Sequence, residues 1–172
     1  EPIDPPATRQ LTIARPVQVT GPGTFFRREN RTLVFEPTAL SGWWFDRVDQ
    51  PEALPIKVAV DNVWTTARNI VLRSGSPHNY MRMVEHIIAL RLGMGIDSVM
   101  VKVNSGDPPL FDRGSMDLVE ALDSAGLKPQ ENPVVYVTVR ESVTMGGPNG
   151  SFLTLHPALP GDHALRMDCA VD

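Results

Sequence analysis

Tyr80-Met81-Arg82-Met83-Val84-Glu85-His86-Ile87-Ile88-Ala89-Leu90-Arg91-Leu92-Gly93-Met94-Gly95 is the stretch around which the chain is organised. Met83, Ile87, Leu90 and Met94, with Val84, Ile88 and Leu92 beside them, recur at helical spacing and predict an amphipathic helix over 80–95. Gly93 and Gly95 are expected to stop it, because glycine takes the left-handed conformation of a helix C-cap at little cost. Glu85 and His86 sit side by side within it. Neighbouring helical residues point about 100° apart, so the two cannot share a face, but both can border one cleft. A metal-binding imidazole and a proton-handling carboxylate form a common hydrolytic pairing. Taken alone the dipeptide is a weak signal, and a half-exposed histidine on an amphipathic helix explains it as well.

Before the helix the pattern is extended. Gln10–Thr20 alternates through Leu11, Ile13, Val17 and Val19 and reads as a strand broken near Pro16. Gly21-Pro22-Gly23 reads as a turn and Arg31–Glu36 as the returning strand, giving an antiparallel hairpin. Thr38–Pro55 reads as irregular, with Trp43, Trp44 and Phe45 in a loop that serves as a lid or a partner surface or, more commonly for such a run, folds back on the core. Ile56–Val60 and Asn62–Arg73 are expected strands, the second rich in β-branched residues. Ser74–Asn79 is an expected turn, with Ser76 or Asn79 as a helix cap.

After the helix, Val99, Val101 and Val103 alternate with Met100 and Lys102, which predicts a half-buried strand over 97–103. A loop around Pro108-Pro109 follows. Ser115–Ala125 is the second expected helix, with Ser115 at its N-cap, Leu118, Val119 and Leu122 as the buried stripe, and Gly126 at its end. The character then changes. Residues 128–132 read as a polar linker, 134–145 as a long β-run, 146–150 as a glycine-rich turn, and 151–155 and 164–171 as two further strands. The expected organisation is an extended tail at 1–8, a first α+β domain at 9–127, a linker at 128–132 and the start of an incomplete second domain at 133–172. Three strands alone seldom make a stable domain.

The composition is that of a globular protein: 172 residues, 42% hydrophobic and 21% charged, with a net charge of −4. That charge, without any basic block, argues against nucleic acid as a partner. The single cysteine, Cys169, cannot close an internal disulfide, which fits a reducing compartment. No apolar run approaches the ~18 to 20 residues that span a bilayer.

Val84-Glu85-His86, Gly95-Ile96-Asp97, Pro109-Leu110-Phe111-Asp112 and Ser124-Ala125-Gly126-Leu127 follow one another in the order and spacing of a known family. The chain resembles the zinc-dependent UDP-3-O-acyl-N-acetylglucosamine deacetylases of lipid A synthesis. Asn62-Val63, Leu72, Gly21, Gly23 and the tail Met167–Asp172 fit the same pattern. The resemblance implies an α+β fold in which a β-sheet packs on a pair of helices, with two such domains stacked helix layer to helix layer and the active site between them. It implies that His86 is the first zinc ligand and Glu85 the general base. Asp112 matches a loop aspartate with a structural role. The implied substrate is a nucleotide-linked acylated amino sugar and the implied compartment is the cytoplasm.

The family's remaining ligands, a histidine and an aspartate, and its acid histidine come from later in the second domain. His78, His156 and His163 do not match those positions, so a C-terminal half or a partner chain would have to complete the site. Thr24-Phe25 replaces a Leu-His pair of the family, and Arg113 to Met116 replace its small residues. These departures leave a second reading open, a catalytically inactive relative serving as a binding or assembly module.

Overall fold

The computed structural model describes residues 9–25, 29–162 and 164–170; the expected tail at 1–8, His163, Val171 and Asp172 lie outside them. The described residues are α+β. The strands are β1 (Arg9–Ile13), β2 (Val17–Pro22), β3 (Asn30–Glu36), β4 (Trp43–Arg47), β5 (Ile56–Lys57), β6 (Val63–Thr65), β7 (Val71–Arg73), β8 (Tyr80–Arg82), β9 (Val99–Val103), β10 (Leu127–Pro133), β11 (Val143–Gly146) and β12 (Phe152–Leu155). The helices are α1 (Glu85–Gly93), between β8 and β9, and α2 (Met116–Ala125), between β9 and β10. The chain divides into two compact units, Arg9–Asn132 and a second that holds Pro133 onward.

The valine row dictates the first unit. Strand β9 lies at the centre of a five-stranded sheet in the order β2-β3-β9-β4-β5. It pairs antiparallel with β3 and parallel with β4. Val99, Val101 and Val103 are fully buried, level with Trp43, Phe45 and Arg47 on one side. Leu33 and Phe35 stand opposite Val103 and Val101 on the other. This face joins Ile87 and Leu90 of α1 and Leu118, Leu122 and Ala125 of α2 in one core. Each such aliphatic side chain contributes about 1.5–3 kcal/mol on leaving water. The opposite face is wet: Lys102 pairs with Glu36 at 2.9 Å, and Lys57 lies 5.5 Å from the Trp44 ring. One packed face and one solvated face is the ordinary condition of a largely antiparallel sheet.

Several expectations need correction. Trp43 to Phe45 do fold onto the core, but as strand β4 rather than a loop. Trp43 donates from Nε1 to the Ile96 carbonyl at 2.7 Å and meets Phe35 edge to face. The helix expected from Tyr80 begins only at Glu85, because Tyr80–Arg82 is β8, paired antiparallel with β7. Asn62–Arg73 is not one strand. A 3-10 turn at Val60–Asn62 precedes β6, a turn follows it, and β6, β7 and β8 form a separate antiparallel sheet. Ile56–Val60 keeps only two strand residues, in β5. Gly21 and Pro22 continue β2 instead of turning. Neither Ser76 nor Asn79 caps α1, whose N-cap is Val84; Asn79 instead donates from Nδ2 to the Leu54 and Ser74 carbonyls. The hairpin itself is present as β2 and β3, joined from Val17–Phe35 to Pro22–Asn30.

Residues 128–132, expected as a linker, lie in β10, which pairs with β1. In the second unit the long run expected at 134–145 is a strand only from Val143. That strand pairs with β12 across the glycine-rich turn. The strand expected at 164–171 is absent among the described residues 164–170. The apolar residues Val137, Phe152 and Leu153 of this unit are exposed. No helix of the described residues is long and apolar enough to cross a membrane.

Arg47 closes the end of the buried row. Its guanidinium is 6% exposed, grips Asp49 through Nε and Nη2 at 2.8 and 2.7 Å, and donates from Nη1 to the Tyr80 carbonyl at 2.7 Å. That pairing ties the five-stranded sheet to β8. The hydrogen bond from Arg47 holds the Asp49 carboxyl below its ordinary value of 3.8. A depressed carboxyl pKa means that the unfolded chain takes up the proton first as pH falls. The contribution is therefore complete above the ordinary carboxyl range and is lost as pH falls through the folded value. Thermal midpoints recorded from pH 7 to pH 3 should fall more steeply in the wild type than in Asp49→Asn, whose stability is lower at neutral pH.

Candidate functional site

Helix α1 starts where β8 ends, and the reversal between them is abrupt. Met83 has φ 54°, in the left-handed region that costs a residue with a side chain roughly 1–2 kcal/mol. Among the described residues it alone combines positive φ with a side chain. Val84 is fully buried and fixes the far side of the reversal. Glu85 and His86 are thereby set in the first turn of α1. A carboxylate there is favoured by the helix dipole.

Each of the pair is held by a different loop. Glu85 accepts at Oε2 from the backbone N–H of Ile70 at 3.2 Å, which ties it to the turn between β6 and β7. His86 is half-buried, and its Nε2 is buried without a hydrogen-bond partner. Burial pushes the imidazole below its ordinary value of 6.5, against the opposing pull of the Glu85 charge and the Pro109 backbone carbonyl. The carbonyl of His86 accepts from the Ser115 hydroxyl at 3.4 Å. Ser115 does occupy the N-cap of α2, but its side chain reaches α1 and makes no capping bond on its own helix.

The Pro108-Pro109 loop is itself clamped to the end of β2. Thr24 donates to the Pro108 carbonyl from its backbone at 3.1 Å and from Oγ1 at 2.9 Å. Leu110 N–H donates to Pro22 at 3.0 Å, and Phe25 N–H donates to both carboxylate oxygens of Asp107 at 3.1 and 3.2 Å. Two of the departures from the family pattern have structural work: the Thr24 hydroxyl holds the loop that faces His86, and Arg113 bridges Asp117 and Glu120 of α2, whereas Phe25 holds that loop only through its backbone N–H. Sequence reasoning missed Asp107, whose burial at 2% exposed follows from tertiary pairing and leaves no local signal. Asp112, expected to be structural, is exposed and makes no side-chain hydrogen bond or ion pair among the described residues.

Within the first unit His78 is exposed, and within the second His156 shares a 2.9 Å hydrogen bond with the Ser142 hydroxyl. His163 lies outside the described residues, and Asp162 is engaged with Arg166. As a test of fit to zinc, an imidazole whose charged form is disfavoured by burial and whose Nε2 has no hydrogen-bond partner offers the kind of nitrogen donor that a ligand requires. It is a single donor, however. No three His, Cys, Asp or Glu among the described residues gather to hold a metal ion.

The first unit is thus a two-helix α+β fold that carries an acid-imidazole pair at the start of its first helix. The family assignment follows from comparison. The family model of UDP-3-O-acyl N-acetylglycosamine deacetylase matches residues 10–172, and the chain belongs to that family. The chain is 29% identical over 164 residues to the bifunctional enzyme LpxC/FabZ of Chlorobaculum tepidum, covering 95% of this chain and 34% of that protein. It is 31% identical over 133 residues to a UDP-3-O-acyl-N-acetylglucosamine deacetylase of Methylococcus capsulatus, covering 77% of this chain and 43% of the relative. A protein of the same name from Thioalkalivibrio sulfidiphilus is 27% identical over 135 residues, with 78% and 44% covered. The chain therefore spans less than half the length of these relatives.

The packing of the loop on β2 makes a direct prediction. A Cβ on Gly21 would lie 2.4 Å from a Phe111 ring carbon. Gly21→Ala should destabilise the fold by about 1–3 kcal/mol, the usual cost of overpacking. Urea denaturation of the variant against wild type measures this.

Proposed function

We propose that this chain supplies the general base and one zinc ligand of a deacetylase. The substrate is an N-acyl amino sugar such as UDP-3-O-acyl-N-acetylglucosamine, and the step belongs to lipid A biosynthesis in the cytoplasm. Glu85 is the base and His86 the ligand. The observation that carries this reading is the unpartnered, buried Nε2 of His86 next to a carboxylate that, among the described residues, is anchored at one of its oxygens. Residues 9–127 act as the first domain and 133–172 as the opening of a second. The remaining ligands come from outside the described residues, through a longer chain or a partner subunit.

The chemistry follows from the residues. Amide hydrolysis needs a base to take a proton from the attacking water and an acid to return one to the departing nitrogen. Ile70 fixes Oε2 of Glu85 and so orients the carboxylate, leaving Oε1 to accept that proton. A carboxylate can take the proton only if the water is made more acidic, and a bound zinc ion supplies that acidity along with polarisation of the acyl carbonyl. His86 contributes a neutral nitrogen, and the Thr24–Pro108 clamp keeps the facing loop in place.

Zinc content and deacetylase activity of the full-length protein, alone and with any partner subunit, test the proposal. Wild type should hold zinc, and His86→Ala should lose it. Glu85→Gln should keep the metal while activity falls by roughly 10²-fold or more, the range for loss of a general base. A wild-type protein that takes up no zinc under any of these conditions would leave the binding-module reading in its place.

A further inference from the structure

Asp107 is a buried carboxylate, 2% exposed, to which the chemistry above gives no part. Charge at such depth is costly unless hydrogen bonds hold it. Both carboxylate oxygens accept from the backbone N–H of Phe25, at 3.2 and 3.1 Å, and the Asp107 N–H donates to Ser105 Oγ at 3.0 Å. The chain just before it has no slack. The Gly106 carbonyl accepts from the Arg82 N–H at 3.2 Å, and a Cβ on Gly106 would lie 2.8 Å from Arg47 Nη1 and from the Tyr80 ring.

The chain just after it runs beside residues 22–25 as half a ladder. Gly23 and Pro109 stand opposite each other in an antiparallel bridge. Leu110 N–H donates to the Pro22 carbonyl at 3.0 Å, and the Pro108 carbonyl accepts twice from Thr24. Proline has no backbone N–H, so Pro108 and Pro109 return no bond. The pairing is short of donors on this side, and the Asp107 carboxylate closes its far end by taking the Phe25 N–H.

The same lack of donors acts on His86. The Pro108 carbonyl is engaged by Thr24, and the Pro109 carbonyl meets the imidazole, where it can only accept. A neutral imidazole has one N–H donor and one lone-pair nitrogen. Nε2 has no hydrogen-bond partner, so the ring nitrogen that donates to Pro109 is Nδ1. The hydrogen bond made by one ring nitrogen fixes the state of the other. With the proton on Nδ1, the lone pair is on Nε2.

We infer that Asp107 is a positioning residue: by anchoring the Pro108-Pro109 loop to Phe25, it holds the Pro109 carbonyl against Nδ1 of His86 and keeps the lone pair on Nε2. The inference rests on the reading of His86 as a metal ligand. Asp107 touches neither metal nor substrate and acts through two peptide units and one hydrogen bond. Free histidine favours the proton on Nε2, the form in which that nitrogen cannot bind a metal. A loop that drifts from the ring therefore costs the ligand its donor state.

Long-range proton–nitrogen correlation spectra of the full-length protein, labelled at histidine, stripped of metal by a chelator and held at mildly alkaline pH, read the tautomer; His86→Gln assigns the ring. Wild type should show a protonated Nδ1 and a bare Nε2. Asp107→Ala should move the ring toward the Nε2–H form and weaken zinc binding about tenfold to a hundredfold, the usual effect of losing a group that orients a metal ligand. Asp107→Asn, which keeps one acceptor oxygen for Phe25, should recover part of both. Ile13→Val thins the buried core; it should lower the thermal midpoint and leave the tautomer as in wild type, which separates positioning from a general loss of stability. If Asp107→Ala does not fold, Asp107→Asn combined with Thr24→Val takes its place. A protonated Nε2 in wild type, or the wild-type tautomer in these Asp107 variants, would overturn the inference. The ring is read without metal, so a protein that takes up no zinc fails the ligand assignment, while the tautomer alone decides the role of Asp107.

Discussion

Strand β9 is the constraint on which the first unit depends. It is short, yet it makes the antiparallel bond to β3 and the parallel bond to β4, and its three valines meet both helices through one core. Both neighbours are distant in sequence, so neither could be arranged by local preference. The parallel contact also decides where α1 must lie. The chain leaves β4, builds the β6–β8 sheet, and reaches β9 only through α1, so the helix is confined between the two sheets' connections. The pair Glu85 and His86 owes its position to that confinement more than to any feature of the helix itself.

The site is a meeting of loops around one helical turn. The β6–β7 turn holds Glu85, Ser115 at the head of α2 holds the His86 carbonyl, and the Pro108-Pro109 loop faces the imidazole. That loop is fastened by Thr24, Phe25 and Asp107 to the end of β2. Loops fixed this way can carry functional groups with little freedom, which is how a scaffold positions chemistry. Each of these fastenings lies within the first unit. Only the metal ligand set is partial among the described residues.

How much of this was legible in the sequence follows from which forces act locally. Strand β9 showed itself because one of its faces is apolar and the other polar. Helix α2 did so because Leu118 and Leu122 repeat one turn apart beneath polar neighbours. Strand β4 was hidden because Trp44 is apolar on the wet face, stacked by Lys57, and Arg47 is charged on the buried face. Its alternation is real in burial and invisible in hydropathy. Tyr80–Arg82 was absorbed into the helix because Met81 and Met83 fit either period, and only pairing with β7 decides the matter. Strand β10 carries no apolar pattern because it is a largely exposed partner of β1. Glu85 and His86 were legible as a pair from their neighbours in sequence. The unpaired Nε2 and the buried Asp107 exist only once distant segments meet.

Met83 carries a consequence for the evolution of this protein. A left-handed residue with a full side chain is a small reservoir of unfavourable backbone energy at the hinge between β8 and α1, and glycine or asparagine at the same place would release most of it. Selection for heat resistance alone would therefore press on this position. The same change would loosen the reversal that aims the first turn of α1, since a glycine admits backbone angles that a methionine forbids. Durability and aim are set against each other at one peptide, so the site's geometry can drift only along paths that leave the fold slightly less robust than it could be.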